Sequence, residues 1–239
     1  MDRRTLLRVL GSAGVIGALP NLLEERTRAQ TSVHYEVQGS GPTLIAFDRA
    51  PKRYFDRFAD AYRVIVMDGS GQDALTADRV CADILEVADE VGADRFAWYG
   101  FSWGGVVGLQ LASRTNRLTA LVCGGWPPLE AQYRETLAVT EIEASAARTF
   151  YRSIANWDER AAVSKLTCPR MTFAGTKDAF VVDGYPIHIG ASITDHRDEL
   201  EHMGWTVRMV EGFGHELGAR PDVVVPLIRE FLDPLLLRG

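Results

Sequence analysis

Cysteine is scarce in this chain: Cys81, Cys123 and Cys168 are the only three among 239 residues. An odd, sparse set does not make a disulfide framework. No cysteine follows the apolar N-terminal segment, so a lipoprotein anchor is not suggested. Cys123 ends an apolar run and Cys168 precedes Pro169, and both read as small buried hydrophobes rather than reactive thiols. Basic charge is also short. Lys and Arg number 26 against 32 Asp and Glu, a formal net charge of −6, which argues against a nucleic-acid partner. No stretch reaches the roughly 20 apolar residues of a membrane span. H-E-x-x-H is absent, and His188, His196 and His202 do not share a face at ligand spacing, so they read as surface histidines and no metal is expected. With no internal repeat, low-complexity tract or linker, residues 30–239 read as one domain, long enough for a single large α/β core.

What is present begins with an unusual N-terminus. Arg3-Arg4 is followed by Leu6-Leu7-Arg8, then by an apolar, Gly- and Ala-rich run from Val9 to Leu19 closed by Pro20. A basic n-region before a short apolar h-region is the pattern of a secretory signal, and the arginine pair marks the twin-arginine route. Thr27-Arg28-Ala29 supplies small residues for cleavage after Ala29, so residues 1–29 are set aside as a signal peptide. The charged approach Glu24-Glu25-Arg26 leaves the cut site open, and the alternative is an amphipathic helix belonging to the domain. On the first reading the protein is exported, periplasmic or secreted, with the twin-arginine translocation machinery as a partner. Sparse cysteines suit a protein that folds in a reducing cytosol before export.

The stretch that organises the rest is Gly100-Phe101-Ser102-Trp103-Gly104-Gly105. Phe96 to Tyr99 in front of it reads as a buried strand, and Val106 to Ala112 behind it as a helix packed on a sheet. Strand, G-x-S-x-G, helix is a nucleophile elbow, a sharp turn that pushes the serine hydroxyl out at its tip. Its glycines let strand and helix approach closely. Trp103 N–H then opens the helix, where the dipole favours negative charge and makes half an oxyanion hole. A neutral serine needs a base, and the base an orienter. Arg170 to Asp178 reads as a strand ending in a turn and an acid, and Thr206 to His215 as a strand ending in a glycine-flanked loop and a histidine. Asp183 and Asp158 compete for the acid's role, but Asp178 directly follows the strand and its Gly-Thr-Lys turn.

The order Ser102, Asp178, His215 on these elements resembles the α/β-hydrolase superfamily from about Ser32 to the C-terminus. The resemblance implies a mostly parallel sheet with helices on both faces, and a catalytic triad of those three residues. By position it places the second oxyanion donor at Ala50 N–H, with Arg49 N–H as the fallback. The family's usual His-Gly after Phe47 is replaced here by Asp48-Arg49-Ala50-Pro51, the main departure. Arg49 beside the mouth would either attract an anionic substrate or pair with Asp48, and pairing is favoured because surface charges mostly do little. Trp126 sits where relatives line the substrate pocket, with plain packing as its other role. Residues 127–165 resemble a small helical cap over the site, or else an ordinary crossover. A serine at the elbow argues against the aspartate-dependent dehalogenases and epoxide hydrolases of this fold. The resemblance implies hydrolysis of a carboxylic ester or similar acyl bond of a small molecule, with no cofactor. Acyltransferases, perhydrolases and C–C hydrolases share the triad, and a non-catalytic binding protein is the rival from another class.

Local patterning adds further expectations. Ser32 to Val37 alternates and, across Gln38-Gly39-Ser40-Gly41-Pro42, pairs with Thr43 to Phe47 as a hairpin. Val64 to Met67 and Leu118 to Cys123 are strands. Thr76 to Val91 is an amphipathic helix. Ala179 to Pro186 reads as a loop, Ile189 to His202 as one helix, and Pro221 to about Leu235 as the closing helix.

Overall fold

The structure is a computed structural model, and the residues it describes are 33–48, 52–69, 75–139, 145–182 and 184–237. The leader assigned to residues 1–29 lies outside them. Seven strands form the main sheet: β1 (Tyr35–Gln38), β2 (Thr43–Asp48), β3 (Arg63–Asp68), β4 (Phe96–Phe101), β5 (Leu118–Gly124), β6 (Arg170–Gly175) and β9 (Trp205–Val210). Their spatial order is β1-β3-β2-β4-β5-β6-β9, and every neighbouring pair is parallel except β1 with β3.

Strand periodicity divides the core in two. Ile45, Phe47, Ile65, Met67, Phe96, Trp98, Leu121 and Cys123 face one side. They pack against α1 (Ala77–Glu90), α2 (Trp103–Ala112) and the segment between β5 and β6. The residues between them, Leu44, Ala46, Val64, Ala97, Tyr99, Ala120 and Val122, face the other side. There they meet the 3-10 turn Lys52–Phe58 and α8 (Pro221–Leu236), through Tyr54, Phe55, Phe58, Val224, Ile228 and Leu232. A parallel sheet covered on both faces needs strands that are apolar throughout, which is how these read.

Two helices follow their expected signals closely. In α1, Thr76 Oγ1 accepts the Arg79 N–H at 3.3 Å as an N-cap, and Gly92 takes φ 66° just past the C-cap residue Val91. In α8, Pro221 occupies the first turn, where a missing N–H is harmless.

The expected hairpin between residues 32–37 and 43–47 is not formed. Tyr35–Gln38 pairs antiparallel with β3 instead, Tyr35 opposite Met67 and Gln38 opposite Val64. The connecting loop explains the change. Gly39 (φ 70°) and Gly41 (φ 113°) lie so close to residues 59–62 that a Cβ on Gly39 would sit 2.3 Å from Ala59 O, and one on Gly41 2.6 Å from Ala61 O. The loop is therefore draped over the start of β3 and delivers β1 to its far side.

Where residues 179–186 read as a loop, β7 (Phe180–Val182) and β8 (Tyr185–Ile187) form a separate two-stranded hairpin. The expected single helix after it is broken at His196 into α6 (Ile189–Asp195) and α7 (Arg197–His202).

Between β5 and β6 stand α3 (Ala131–Val139), α4 (Ser145–Ser153) and α5 (Glu159–Val163). Their apolar residues, scattered in sequence, converge on the first core: Tyr133, Leu137, Phe150, Tyr151 and Ile154 are all buried. A buried ion pair joins α3 to α5, with Arg134 Nε 3.2 Å from Glu159 Oε2 and both side chains 2% exposed. Arg134 also donates to Ile154 O at 2.9 Å. Burial raises the Glu159 carboxyl above its ordinary value, in opposition to Arg134. Phe150 meets the Trp103 ring edge-on at 5.3 Å, so α4 touches the residue next to Ser102.

Candidate active site

Ser102 stands between β4 and α2 with φ 54° and ψ −117°, a positive φ that non-glycine residues rarely hold. Such a conformation costs on the order of 1–3 kcal/mol and persists only when its surroundings enforce it. Here the Ser102 N–H donates to Gly124 O at 2.7 Å, and Ser102 O accepts from Gly105 N–H at 2.9 Å. Trp98 Nε1 donates to Gly104 O at 3.2 Å, tying strand to helix. Gly100 is obligatory, since a Cβ there would lie 2.1 Å from Gly104 O. Trp103 is the first residue of α2, so its N–H lies at the positive end of the helix. Ala50 and Arg49, the other oxyanion candidates, lie outside the described residues.

The acid and the histidine arrive on two loops that are laced together. Thr176 N–H donates to Val210 O at 3.0 Å and Lys177 N–H to Phe213 O at 2.8 Å. Gly212 N–H returns a bond to Thr176 Oγ1 at 3.0 Å. These contacts extend the parallel pairing of β6 and β9 beyond the sheet and set Asp178 beside His215. His215 Nδ1 is 2.9 Å from Asp178 Oδ1, and His215 Nε2 is 2.9 Å from Ser102 Oγ. With the proton on Nδ1, the imidazole donates to the carboxylate and accepts from the hydroxyl. The Asp178 side chain is 0% exposed and that of His215 31%. Asp178 Oδ2 is buried without a hydrogen-bond partner among the described residues, which leaves His215 as the carboxylate's bonded counterpart.

Beside Ser102 opens a cavity of about 400 Å³. Phe47, Tyr99, Phe101 and Trp103 supply its apolar wall, with Glu216, Gly218 and Ala219 beyond His215. Tyr99 is braced from behind by the Tyr54 hydroxyl, 3.0 Å from its own. Glu216 is exposed, and its carboxyl is held below the ordinary value chiefly by the Gly214 N–H, which it accepts at 2.9 Å.

Trp126, expected at the pocket, does not line this cavity. It is 4% exposed, stacks on Tyr151 at 5.9 Å and lies against Gly105, where a Cβ would approach its own Cβ to 2.9 Å. It therefore packs beneath α2, the other role open to it. Sequence reasoning missed the cavity wall. The signal was that Phe101 ends β4 and Phe47 is the last residue but one of β2, at the sheet edge where Ser102 stands. Asp158, one of the competing acids, is occupied as the N-cap of α5, accepting from Ala161 N–H at 2.9 Å. Asp183 lies outside the described residues.

Among the described residues no group of three or more His, Cys, Asp or Glu side chains is placed to hold a metal. No described helix is long and apolar enough to cross a membrane. Cys81 and Cys123 are buried, and desolvation pushes the Cys81 thiol up to about 12 and the Cys123 thiol well above its ordinary value.

Comparison with known proteins agrees with this architecture. An alpha/beta hydrolase from the metagenome of lagoon sediments at Mar Chica, Morocco, superposes with a TM-score of 0.64 at 15% identity, over 86% of this chain and 96% of that one. Epoxide hydrolase A from Mycobacterium thermoresistibile gives 0.64 at 16% identity, over 85% and 95%. A thermophilic esterase from Thermogutta terrifontis gives 0.62 at 18% identity, over 85% and 94%. At such identities the likeness is one of fold. No curated protein matches the sequence significantly. The profile of the alpha/beta hydrolase family matches residues 34–232, which takes in every strand from β1 to β9 and both loops that meet at Ser102. By fold and by sequence, the chain belongs to the alpha/beta hydrolase family.

Proposed function

We propose that this chain is a serine hydrolase that cleaves a carboxylic ester or similar acyl bond through an acyl-enzyme. The observation that carries the reading is the continuous relay from Ser102 Oγ through His215 to Asp178, each link 2.9 Å long. In the reaction, Ser102 Oγ attacks the carbonyl carbon while its proton passes to His215 Nε2. Asp178 holds the proton on Nδ1 and stabilises the imidazolium that forms. Trp103 N–H faces the developing oxyanion together with a donor from Ala50, or alternatively Arg49, each worth roughly 3 kcal/mol in the transition state. His215 then protonates the departing alcohol, water takes the alcohol's place, and the same proton path run in reverse frees the acid.

The cavity suits an apolar acyl or alkoxy group of modest size, because aromatic rings form its wall. Negative charge on Glu216 at the rim disfavours an anionic ester. A serine at the elbow favours attack by a hydroxyl, which leads to an acyl-enzyme. The test is turnover of a chromogenic short-chain acyl ester by the purified protein, lost in Ser102→Ala. Binding of the ester without turnover in the unaltered protein would instead make it a binding member of the fold.

We further propose export by the twin-arginine route, on the strength of Arg3-Arg4 and the apolar run behind it. Replacing both arginines by lysine should keep the unprocessed protein in the cytoplasm. Export at the usual level in that variant would refute it.

A further inference from the structure

The loop that carries His215 does not hold the imidazole by itself. Between the end of β9 at Val210 and His215 it contains Gly212, at φ 82°, and Gly214, neither with a side chain to pack. Two hydrogen bonds reach the ring nitrogens, but its faces need apolar neighbours to fix its tilt. Two aromatic rings supply them. Phe101, at the end of the elbow strand, lies 5.2 Å from the imidazole centroid, and Phe180 lies 4.8 Å away, with ring planes inclined at 51° and 56°.

Phe101 belongs to the elbow and to the cavity wall. Phe180 belongs to neither. It opens β7, two residues after Asp178, in the hairpin that is separate from the main sheet. Its strand partner is Ile187, 2% exposed, while Val181 on the opposite face of the same strand is 66% exposed. Period-2 alternation thus turns Phe180 toward His215 and Val181 toward solvent. Phe180 is partly buried and packs against the first core. The chain folds back on itself directly after the acid and presents a ring to the residue that the acid binds.

We infer that Phe180 is a positioning residue. Its ring holds the His215 imidazole in register with Asp178 and Ser102 at once, and keeps water from the Nδ1–H···Oδ1 bond. It touches no reacting atom, and its effect passes through His215. The inference rests on the triad reading above. It also accounts for the hairpin where the sequence suggests only a loop, since a free loop would not fix a ring over the histidine.

The experiment follows the His215 Nδ1–H proton by NMR in the full chain, for the unaltered protein and the series Phe180→Leu, Phe180→Val and Phe180→Ala. The expected result is a graded rise in the exchange of that proton with water, largest in the alanine variant. In parallel kcat should fall about ten- to a hundredfold while KM stays close to its original value, because small displacements of a catalytic group carry penalties of that order. Phe180→Leu, which keeps most of the apolar cover, should restore most of both. The series keeps the test open if the alanine variant does not fold. An exchange rate that is flat across the folded variants overturns the inference. The proton is read on the imidazole itself, so a protein without ester turnover would sink the hydrolase reading and leave this test in force.

Discussion

Asp178→Asn removes one charge from the relay and nearly nothing else, which makes it the sharpest perturbation of the proposed chemistry. The side chain is fully buried, with Oδ1 at 2.9 Å from His215 Nδ1 and Oδ2 unpartnered among the described residues. An asparagine fits the same space. If its oxygen faces the ring, the imidazole keeps its tautomer, but the imidazolium formed in the reaction loses its counter-charge. If its amide faces the ring, Nδ1 becomes an acceptor and the proton moves to Nε2, where it blocks removal of the Ser102 proton. Either way the base is impaired. In a serine triad of this geometry the loss in kcat is about 10⁴-fold, or about 5 kcal/mol of transition-state stabilisation. KM should change little, because Asp178 does not line the cavity. Stability should also change little, since the mutation exchanges a buried charge for a neutral isostere that still has one partner. The assay is kcat and KM on a chromogenic short-chain ester, with urea unfolding as the control. Activity within about tenfold of the original protein would refute the role given to Asp178, all the more if Asp183→Asn lost it instead.

Other expectations follow from single contacts. Gly100→Ala would force a Cβ to 2.1 Å from Gly104 O, so the elbow must shift; urea unfolding should register a loss of at least about 1–3 kcal/mol with the slope unchanged. Arg134→Met leaves Glu159 buried without its ion partner and should cost about 3–5 kcal/mol, while Arg134→Met combined with Glu159→Leu should recover most of it. The same pair gives a pH signature. Burial raises the Glu159 carboxyl in the folded state, so the folded form binds a proton more readily than the unfolded chain. This contribution therefore favours folding at low pH and is lost as pH rises from the ordinary glutamate value through the raised one. Thermal melts across the acid range should show Arg134→Met regaining stability relative to the original protein as Glu159 is protonated. Buried, desolvated thiols at Cys81 and Cys123 should leave activity insensitive to a maleimide; rapid inactivation accompanied by labelling of either residue would contradict their placement.

Much of the fold was legible because the signals were local. The elbow lies within six residues, and the capped helix α1 carries its own start and stop in Thr76 and Gly92. Ser102, Asp178 and His215 could be named because each follows a readable strand. What the sequence did not disclose were partnerships between distant segments. Alternation in residues 32–37 marks a strand without naming its neighbour, and the choice of β3 over β2 rests on how Gly39 and Gly41 fit against residues 59–62. The hairpin at 180–187 has strands of only three residues, too short for periodicity to register. Trp126 occupies a position from which a side chain can turn either toward the cavity or under α2, and Gly105, by lacking a side chain, opens the space beneath the helix. The burial of α3 to α5 was hidden because their apolar residues are scattered in sequence and converge only when the helices pack on the first core, with Arg134 and Glu159 paired between α3 and α5.

The most direct measurement is to treat the purified protein with a fluorophosphonate and locate the adduct by peptide mass. The expected result is one covalent adduct, on Ser102, absent from Ser102→Ala and formed far more slowly in His215→Ala. An adduct on another residue, or none at all in a folded protein, would contradict the claim that this hydroxyl is the nucleophile.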